Sequence, residues 1–464
     1  MGINTLKRYY TAVPKSVKYA VLLALFINSI GLLFIFTHYN QDALVAGDGL
    51  IYEELAVNLD RGLGFGLFRE GEFVQETFRT PGLPLLYVLF LKIGLGFQAY
   101  FLALSFFSAV LVPVLGWYLA KNLFDKKAGV IVAYLLAFDP IIWLHNWSFI
   151  SEIPFLIAAL LGAAFVVRAY KENTVFTYNA MIAGIVLACG VYIRPAIFPI
   201  LVIALLAVFI ERTLTRKKNA GVFLFVFGTL FLCLVPWYVH MQQVTGVYAL
   251  SGTGWRNVYT DYLASIRSLK NDTSFVAEKE ALKLYATKTW GLERMEINDP
   301  KNSSTFRDYA LPEILDNVDT VVKLQSVLFV TYFTHSDYQR KLQKLGMLPM
   351  NKNEEGRVSS SRLVLEQGFG AIPEIFNEMK NRYFLPVFER LWTMSLFAFA
   401  TLGFFVAKSR ARFLVLLLLA LGYLTSSAIG LGMEGRLRIA ILPFYFMLVA
   451  CGILFAQLQY KNVI

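Results

Sequence analysis

The sequence predicts an all-α polytopic membrane protein of about ten spans with a small domain on its outer face, and three observations carry that expectation. Of its 464 residues, 57% are hydrophobic and 16% charged, and the mean hydropathy is +0.56. Apolar runs near the length needed to cross a bilayer recur along the chain. Clusters of Lys and Arg fall at alternate ends of those runs, as the positive-inside rule requires of a chain that threads back and forth.

The first run, Ala20 to Phe36, follows Lys7, Arg8, Lys15 and Lys18. It has the order of a signal peptide, but Ala43-Leu44-Val45-Ala46 is a poor cleavage site and the run exceeds a usual h-region, so an uncleaved anchor is expected. The remaining expected spans are Tyr100 to Ala120, Gly129 to Trp143, Glu152 to Val167, Tyr178 to Val191, Ile197 to Ile210, Gly221 to Tyr238, Leu391 to Ala407, Phe413 to Ile429 and Ile439 to Phe455. Lys121, Lys126 and Lys127, then Arg168 and Lys171, then Arg212, Arg216, Lys217 and Lys218, then Lys408, Arg410 and Arg412 mark the cytoplasmic ends, with both termini on that side. The net charge of +11 is therefore read as a topology signal, and no nucleic-acid partner is expected.

Two outer segments interrupt the hairpins. The piece Pro81 to Leu95 is short, opens with Pro81 and Pro84 and contains Lys92, so an interfacial helix is expected there. Val239 to Pro386 mixes polar and aromatic residues over a length that suits a small soluble domain, with Val327 to Tyr332 as a patch for the bilayer surface. The expected organisation is a transmembrane module at 1–238 with a first outer loop at 37–98, an extracytoplasmic domain at 239–386, and C-terminal transmembrane helices at 387–464. No repeated half of the transporter kind is evident.

Cys189, Cys233 and Cys451 all sit in apolar runs without metal spacing, and buried packing is their ordinary explanation. His38, His145, His240 and His335 fit no zinc motif. Trp143, Trp147 and Trp237 stand at expected outer span ends, where an interfacial belt accounts for them.

The residues that carry chemistry gather at one membrane face. Asp48, in Gly47-Asp48-Gly49, lies just outside the first span, and Tyr52 follows at a spacing that shares a helical face. Glu152 stands at the mouth of a later span, where a carboxylate is costly unless solvated or paired; a polar cavity, a first turn beside Ser151 and an ion pair with Arg194 all fit. Arg79 and Arg194 on the same face are guanidinium donors suited to phosphate, or else a snorkelling residue and a partner for Glu152. Arg436 and Arg438 precede the last span on the outer side against the positive-inside trend, which leaves function or headgroup anchoring. His145 falls near the carboxylates.

Read together, GDGLIYEELAVNLDRGLGFG, FRTPGLPLLYVLFLKIG, HNWSFISEIPFLIAALL, GVYIRPAIFPI and EGRLRIAILPF resemble the ordered landmarks of the family 39 type glycosyltransferases of C-type fold. Protein O-mannosyltransferases and the lipid A aminoarabinose transferase are related families. The resemblance implies a multi-pass enzyme of the bacterial cytoplasmic (inner) membrane with an outward-facing site. It would move a sugar from a polyprenyl-phosphate donor to a hydroxyl of a glycan, lipid or protein acceptor, as in lipopolysaccharide or other envelope glycan biosynthesis. It further implies that Asp48 is the catalytic carboxylate, with Glu152 at the acceptor side and Arg79 in the place of a donor-binding Lys. Those families carry Asp-Glu where this chain has Asp48-Gly49, so a second carboxylate there is missing. Tyr52, Arg194, His145, Arg436 and Arg438 complete the expected substrate-binding set. No cofactor is certain; a divalent metal held by Asp48 with Glu76 or Glu152 is left open. The alternatives from other classes are a lipid-linked sugar transporter or flippase, and a non-catalytic envelope assembly subunit.

Overall fold

A computed structural model of the chain describes residues 13–38, 44, 45, 47–172, 176–214, 221–293, 296–334, 370, 373, 384–407, 409–432 and 435–463. The expected markers Lys7, Arg8, Arg216, Lys217, Lys218 and Lys408, together with His335, lie outside the described residues.

The first helix, α1 (Lys15–His38), is apolar all round and buries Val17, Ala20, Ala24, Asn28, Gly31 and Ile35. That three-and-four spacing lines one face against the bundle. Gly31 permits the closest approach, since a Cβ there would meet the Trp147 ring at 1.8 Å. Next come α2 (Asp48–Asp60), the hairpin β1 (Gly66–Arg69) and β2 (Glu72–Gln75), and α3 (Gly82–Lys92). The two strands pair antiparallel with Leu67 opposite Val74, so the fold is not purely helical as expected. α3 has only 11 residues, about 17 Å at 1.5 Å per residue, too short to span. It exposes Leu85 and Leu89, and its last residue, Lys92, reaches Asp60 at 3.0 Å. That is the shape expected of an interfacial helix.

A hairpin of α4 (Phe97–Leu123) and α5 (Lys126–Phe138) follows, turned by Asp125, whose side chain accepts the N–H groups of Lys127 and Ala128. After α5 the chain breaks: Asp139 is extended (φ −64°, ψ 119°) ahead of Pro140 and caps the short α6 (Pro140–Asn146). The residue before a proline avoids the helical region, and here it sets a bend of 48° between α5 and α6. Then come α7 (Glu152–Lys171), α8 (Tyr178–Ile193), α9 (Phe198–Leu214) and α10 (Gly221–Thr245). α8 stops for the same reason as α5, because Arg194 precedes Pro195 and is extended at φ −145°, ψ 95°.

The region beyond α10 is helical: α11 (Thr253–Asn257), a π-helical turn over Val258–Tyr262, α12 (Leu263–Asn271), α13 (Phe275–Trp290), α14 (Ser303–Leu315) and α15 (Val318–Thr334), the last packed into the bundle core through Leu324, Leu328 and Tyr332. It has its own core of Tyr259, Leu263, Leu282, Ala286, Phe306 and Ala310. Arg267 clamps Glu313 with two bonds of 2.7 Å and also reaches the Tyr309 hydroxyl. The patch Val327 to Tyr332 is not a surface patch throughout: Leu328 and Tyr332 are buried while Phe329 and Val330 are exposed. The Tyr332 ring packs on Tyr423. The chain closes with α16 (Phe384–Val406), α17 (Ser409–Ser427), a 3-10 turn at Gly435–Ile441 and α18 (Leu442–Val463).

The expected count of about ten spans is corrected by this architecture. Among the described residues five helical stretches are long and apolar enough to cross a membrane: Lys15–His38, Phe97–Leu123, Glu152–Lys171, Gly221–Thr245 and Gly435–Lys461. Counting the bent pair Lys126–Phe138 with Pro140–Asn146 as one span makes six. The other apolar runs were read from hydropathy, which does not register where the backbone is interrupted. Tyr178–Ile193, Pro195–Glu211 and Arg412–Ser427 all come out as shorter apolar helices. α8, with 16 residues, is about 24 Å long against a core of about 30 Å.

One consequence for sidedness is testable. Thr253 and Asn257 of the non-membrane region line the same cavity as Asp48, whereas Lys127 is at the far end of α4 and α5. With Cys189, Cys233 and Cys451 replaced, a cysteine at Lys288 and one at Lys127 are expected to react with an impermeant maleimide from opposite faces of sealed vesicles. Labelling of both from one face would refute this arrangement.

Candidate functional site

Asp48 opens α2, and the turn that presents it depends on Gly47, whose φ of +68° lies in the left-handed region that side chains avoid. At the helix N-terminus the backbone dipole favours its charge. Arg79 comes from the segment between β2 and α3, which Glu76 pins by accepting the N–H groups of Phe78 at 2.7 Å and Arg79 at 2.9 Å. Gly82 then lets this segment lie directly on the end of α8, since a Cβ there would meet the Tyr192 carbonyl carbon at 2.5 Å. That contact brings the Arg79 segment beside Arg194, the residue at which α8 ends. Glu152 begins α7, and Arg436 lies on the 3-10 turn before α18.

These side chains form one alternating line of charge. Glu76 Oε2 lies 3.6 Å from Arg79 Nη1, and Arg79 Nη2 lies 3.1 Å from Asp48 Oδ1. Asp48 Oδ2 is 3.4 Å from Arg436 Nη2, whose Nε is 3.7 Å from Glu152 Oε1. Glu152 Oε1 meets Arg194 Nη1 at 2.9 Å. Arg194 also donates to Ser151 Oγ at 3.4 Å. Three carboxylates thus sit between three guanidinium groups, so the fields largely cancel and each charge is tolerated at the edge of an apolar bundle.

Exposure separates the carboxylates. The Asp48 side chain is 43% exposed, whereas those of Glu152 and Glu76 are each 6% exposed. Asp48 is therefore the carboxylate that a substrate can reach without displacing protein. Glu152 Oε2 is buried and has no hydrogen-bond partner among the described residues. A buried acceptor of that kind favours a ligand donor such as a hydroxyl. Tyr52, in the second turn of α2, lies under the Arg79 guanidinium at 5.8 Å. Burial pushes its phenol above the ordinary value against the opposing pull of Arg79, so it stays a hydroxyl donor.

Asp48, Tyr52, Arg79, Glu152, Arg194 and Arg436 all line one cavity of about 220 Å³. Two further residues of the expected set stand elsewhere. His145 is buried and its Nδ1 lies 2.7 Å from the Ile141 carbonyl. Arg438 is 1% exposed and donates to the carbonyl oxygens of Tyr332 at 3.0 Å and Phe333 at 2.8 Å, closing the C-terminus of α15. Neither lines the cavity. Conversely Thr253, Asn257, Thr425 and Ser426 line it and were not anticipated, because a lone hydroxyl or amide in a region without a motif carries no signal. A divalent ion fits poorly: among the described residues no group of three His, Cys, Asp or Glu side chains converges, and Asp48, Glu76 and Glu152 are each committed to an arginine.

Beside this polar cavity lies a second, of about 240 Å³, lined almost entirely by apolar residues of α4, α7, α8, α9, α10, α17 and α18. Ile197, Ile200, Ala440 and Ile441 form walls of both. On α7 the polar cavity begins at Glu152 and the apolar one extends to Tyr170, a separation of roughly 27 Å along the helix axis. The two together run most of the depth of a bilayer.

A multi-pass helical membrane protein with a charged cavity over an apolar one is the class that fold and site define. Residues 79–240 are similar to the family described as dolichyl-phosphate-mannose-protein mannosyltransferase. Among solved structures, the apo oligosaccharyltransferase of Archaeoglobus fulgidus superposes with a TM-score of 0.51 at 15% identity, over 97% of this chain and 51% of that one. The Archaeoglobus fulgidus AglB complexed with an inhibitory peptide and a dolichol-phosphate gives a TM-score of 0.48 at 16% identity, covering 96% and 51%. The chain spans about half the length of the solved structures it matches. The likeness to the apo enzyme is one of fold, and it agrees with the C-type architecture expected while the span count does not. No curated protein sequence matches the chain.

Proposed function

We propose that this protein is a glycosyltransferase that moves a sugar from a polyprenyl-phosphate donor to a hydroxyl acceptor on the outer side of the cytoplasmic membrane. The observation that carries the reading is the shared wall: a cavity rich in guanidinium groups opens against an apolar one that descends between α4, α7 and α9. Only an amphipathic ligand with an anionic head and a long hydrocarbon tail uses both. The family that residues 79–240 resemble is named for a donor of that kind, and the fold shared with the oligosaccharyltransferase is consistent with it.

In the proposed reaction the donor phosphate lies among Arg79, Arg436 and Arg194, with its tail in the apolar cavity. The acceptor hydroxyl attacks the anomeric carbon from the side of Asp48. The new C–O bond forms as the bond from that carbon to the phosphate oxygen breaks, with inversion. The hydroxyl proton passes to Asp48, and polyprenyl phosphate leaves with one more negative charge than it carried in the donor. Guanidinium groups fixed beside that oxygen stabilise the added charge, which is where preorganised electrostatics lower a barrier most. Asp48 already shares Arg79 and Arg436 with the phosphate site. Glu152 Oε2, buried and without a hydrogen-bond partner among the described residues, accepts from a second hydroxyl and orients it. Residues 239–386 supply the acceptor side through Thr253 and Asn257.

Purified protein given a labelled polyprenyl-phosphate sugar and an acceptor pool of membrane lipids, envelope glycans and proteins is expected to release polyprenyl phosphate and label one acceptor. Donors cut to a tail of two isoprenes are expected to lose at least tenfold in kcat/KM, because they leave the apolar cavity empty. Failure to consume any polyprenyl-phosphate donor, or equal use of a nucleotide sugar, would refute the assignment.

A further inference from the structure

We infer that the end of the bundle opposite the charged cavity holds a second, non-catalytic site, which binds the phosphate headgroup of an anionic glycerophospholipid. There, α4, α5 and α18 surround an open groove of about 620 Å³. Lys121, Lys126 and Lys127 stand on its walls, while Val130, Ile131 and Leu454 supply an apolar floor. No carboxylate forms an ion pair with any of these three lysines among the described residues. The nearest acidic side chain by sequence, Asp125, spends Oδ1 on the N–H groups of Lys127 at 2.8 Å and Ala128 at 2.9 Å. The cluster therefore carries a net positive charge with no lysine held in an ion pair among the described residues, unlike the charged cavity, where each guanidinium faces a carboxylate.

The groove is a built feature as well as a charged one. Trp117 lines it and is nearly buried, held where Gly129 leaves room; a Cβ on Gly129 would meet Trp117 Cδ1 at 2.9 Å. The Lys121 ammonium is fixed over the Trp117 ring at 3.5 Å and lies 5.2 Å from the Tyr118 ring. The Trp117 indole N–H is buried and has no acceptor among the described residues. A fixed ammonium, two further lysines on the rim and a spare indole donor match a phosphate oxygen set with a glycerol ester below it. The apolar floor favours a lipid over a free anion, because acyl chains continue into the bilayer along Val130, Ile131 and Leu454. Lys121 stands about two dozen residues beyond the start of α4 at Phe97, roughly 36 Å along the axis, which puts this groove at the opposite membrane interface. Under the positive-inside rule that is the cytoplasmic leaflet, where anionic headgroups collect on basic pockets between helices.

The test uses the full chain in neutral detergent after delipidation. Phosphatidylglycerol is expected to remain bound in native mass spectrometry and to raise the melting temperature, whereas phosphatidylcholine at the same mole fraction does neither. The Lys121→Gln, Lys126→Gln, Lys127→Gln triple variant is expected to lose one bound phosphatidylglycerol and at least tenfold in affinity, with transfer activity in detergent unchanged. Should the triple variant fail to fold, Lys127→Glu on the exposed rim is expected to give a partial loss of the same kind. Equal retention of phosphatidylglycerol by wild type and variant would overturn the site. Displacement of the lipid by millimolar glycerol phosphate or inorganic phosphate would overturn the lipid assignment in favour of a free-anion site.

Discussion

Asp48→Asn is expected to lower the rate of sugar transfer by about 10²-fold or more, with donor affinity largely retained. The substitution keeps the shape of the side chain and one acceptor oxygen for whichever of Arg79 and Arg436 the amide oxygen faces, while the other guanidinium loses its acceptor. What it removes is the site that takes the acceptor proton. Donor binding rests on the three arginines and the apolar cavity, all of which the variant retains, so most of the loss is expected in kcat and less of it in KM for the donor. The measurement is steady-state transfer by purified enzyme with donor Kd determined in parallel. Near-normal transfer would remove Asp48 as the base and pass the role to Glu152, although that side chain is only 6% exposed. Loss of donor binding as well would make Asp48 a positioning residue for Arg79 and Arg436.

Arg436→Ala is expected to reduce kcat/KM by about 10²-fold to 10³-fold, the range for loss of one preorganised charge at a transition state. Arg436 is the residue that joins the two halves of the charged line, with Nη2 toward Asp48 and Nε toward Glu152. Without it the two carboxylates share no cation, and the phosphate site loses one of three. Glu152 keeps Arg194 at 2.9 Å, so the fold is expected to survive, which a thermal melt checks. Arg436→Lys is expected to recover only part of the rate: a point charge on a flexible stem cannot hold two carboxylates through different nitrogens of one rigid fork. Full activity in Arg436→Lys would mean that charge alone suffices and the bridging geometry is incidental.

Much of the charged cavity was legible in the sequence because each of its members lies in a short local pattern. Asp48 follows a glycine just outside an apolar run, Glu152 heads another, and Arg194 precedes a proline; each position can be read without a partner. Arg436 was legible as an outer basic residue that breaks the charge rule, but its neighbour Arg438 has the same local signature and a different fate. One arginine lies in the cavity and the other caps α15 from inside the core. Their separation by two residues on a 3-10 turn, whose side chains point in different directions, cannot be resolved by composition.

The sequence by itself determined that this chain lives in a membrane, where its charged residues stand relative to the apolar runs, and which ends of its helices are basic. These are local properties: a residue's transfer energy and charge are the same wherever the fold takes it. The number of full spans was not local in that sense, because hydropathy marks an apolar run but not the length of helix it forms in the packed bundle, as the 16-residue helix Tyr178–Ile193 shows. Nor was the site itself. Asp48 meets Arg436 across 388 positions of sequence, and the apolar cavity exists only where several helices leave a gap beneath that pair. An ion pair or a cavity is a relation between surfaces, and only packing decides which surfaces meet.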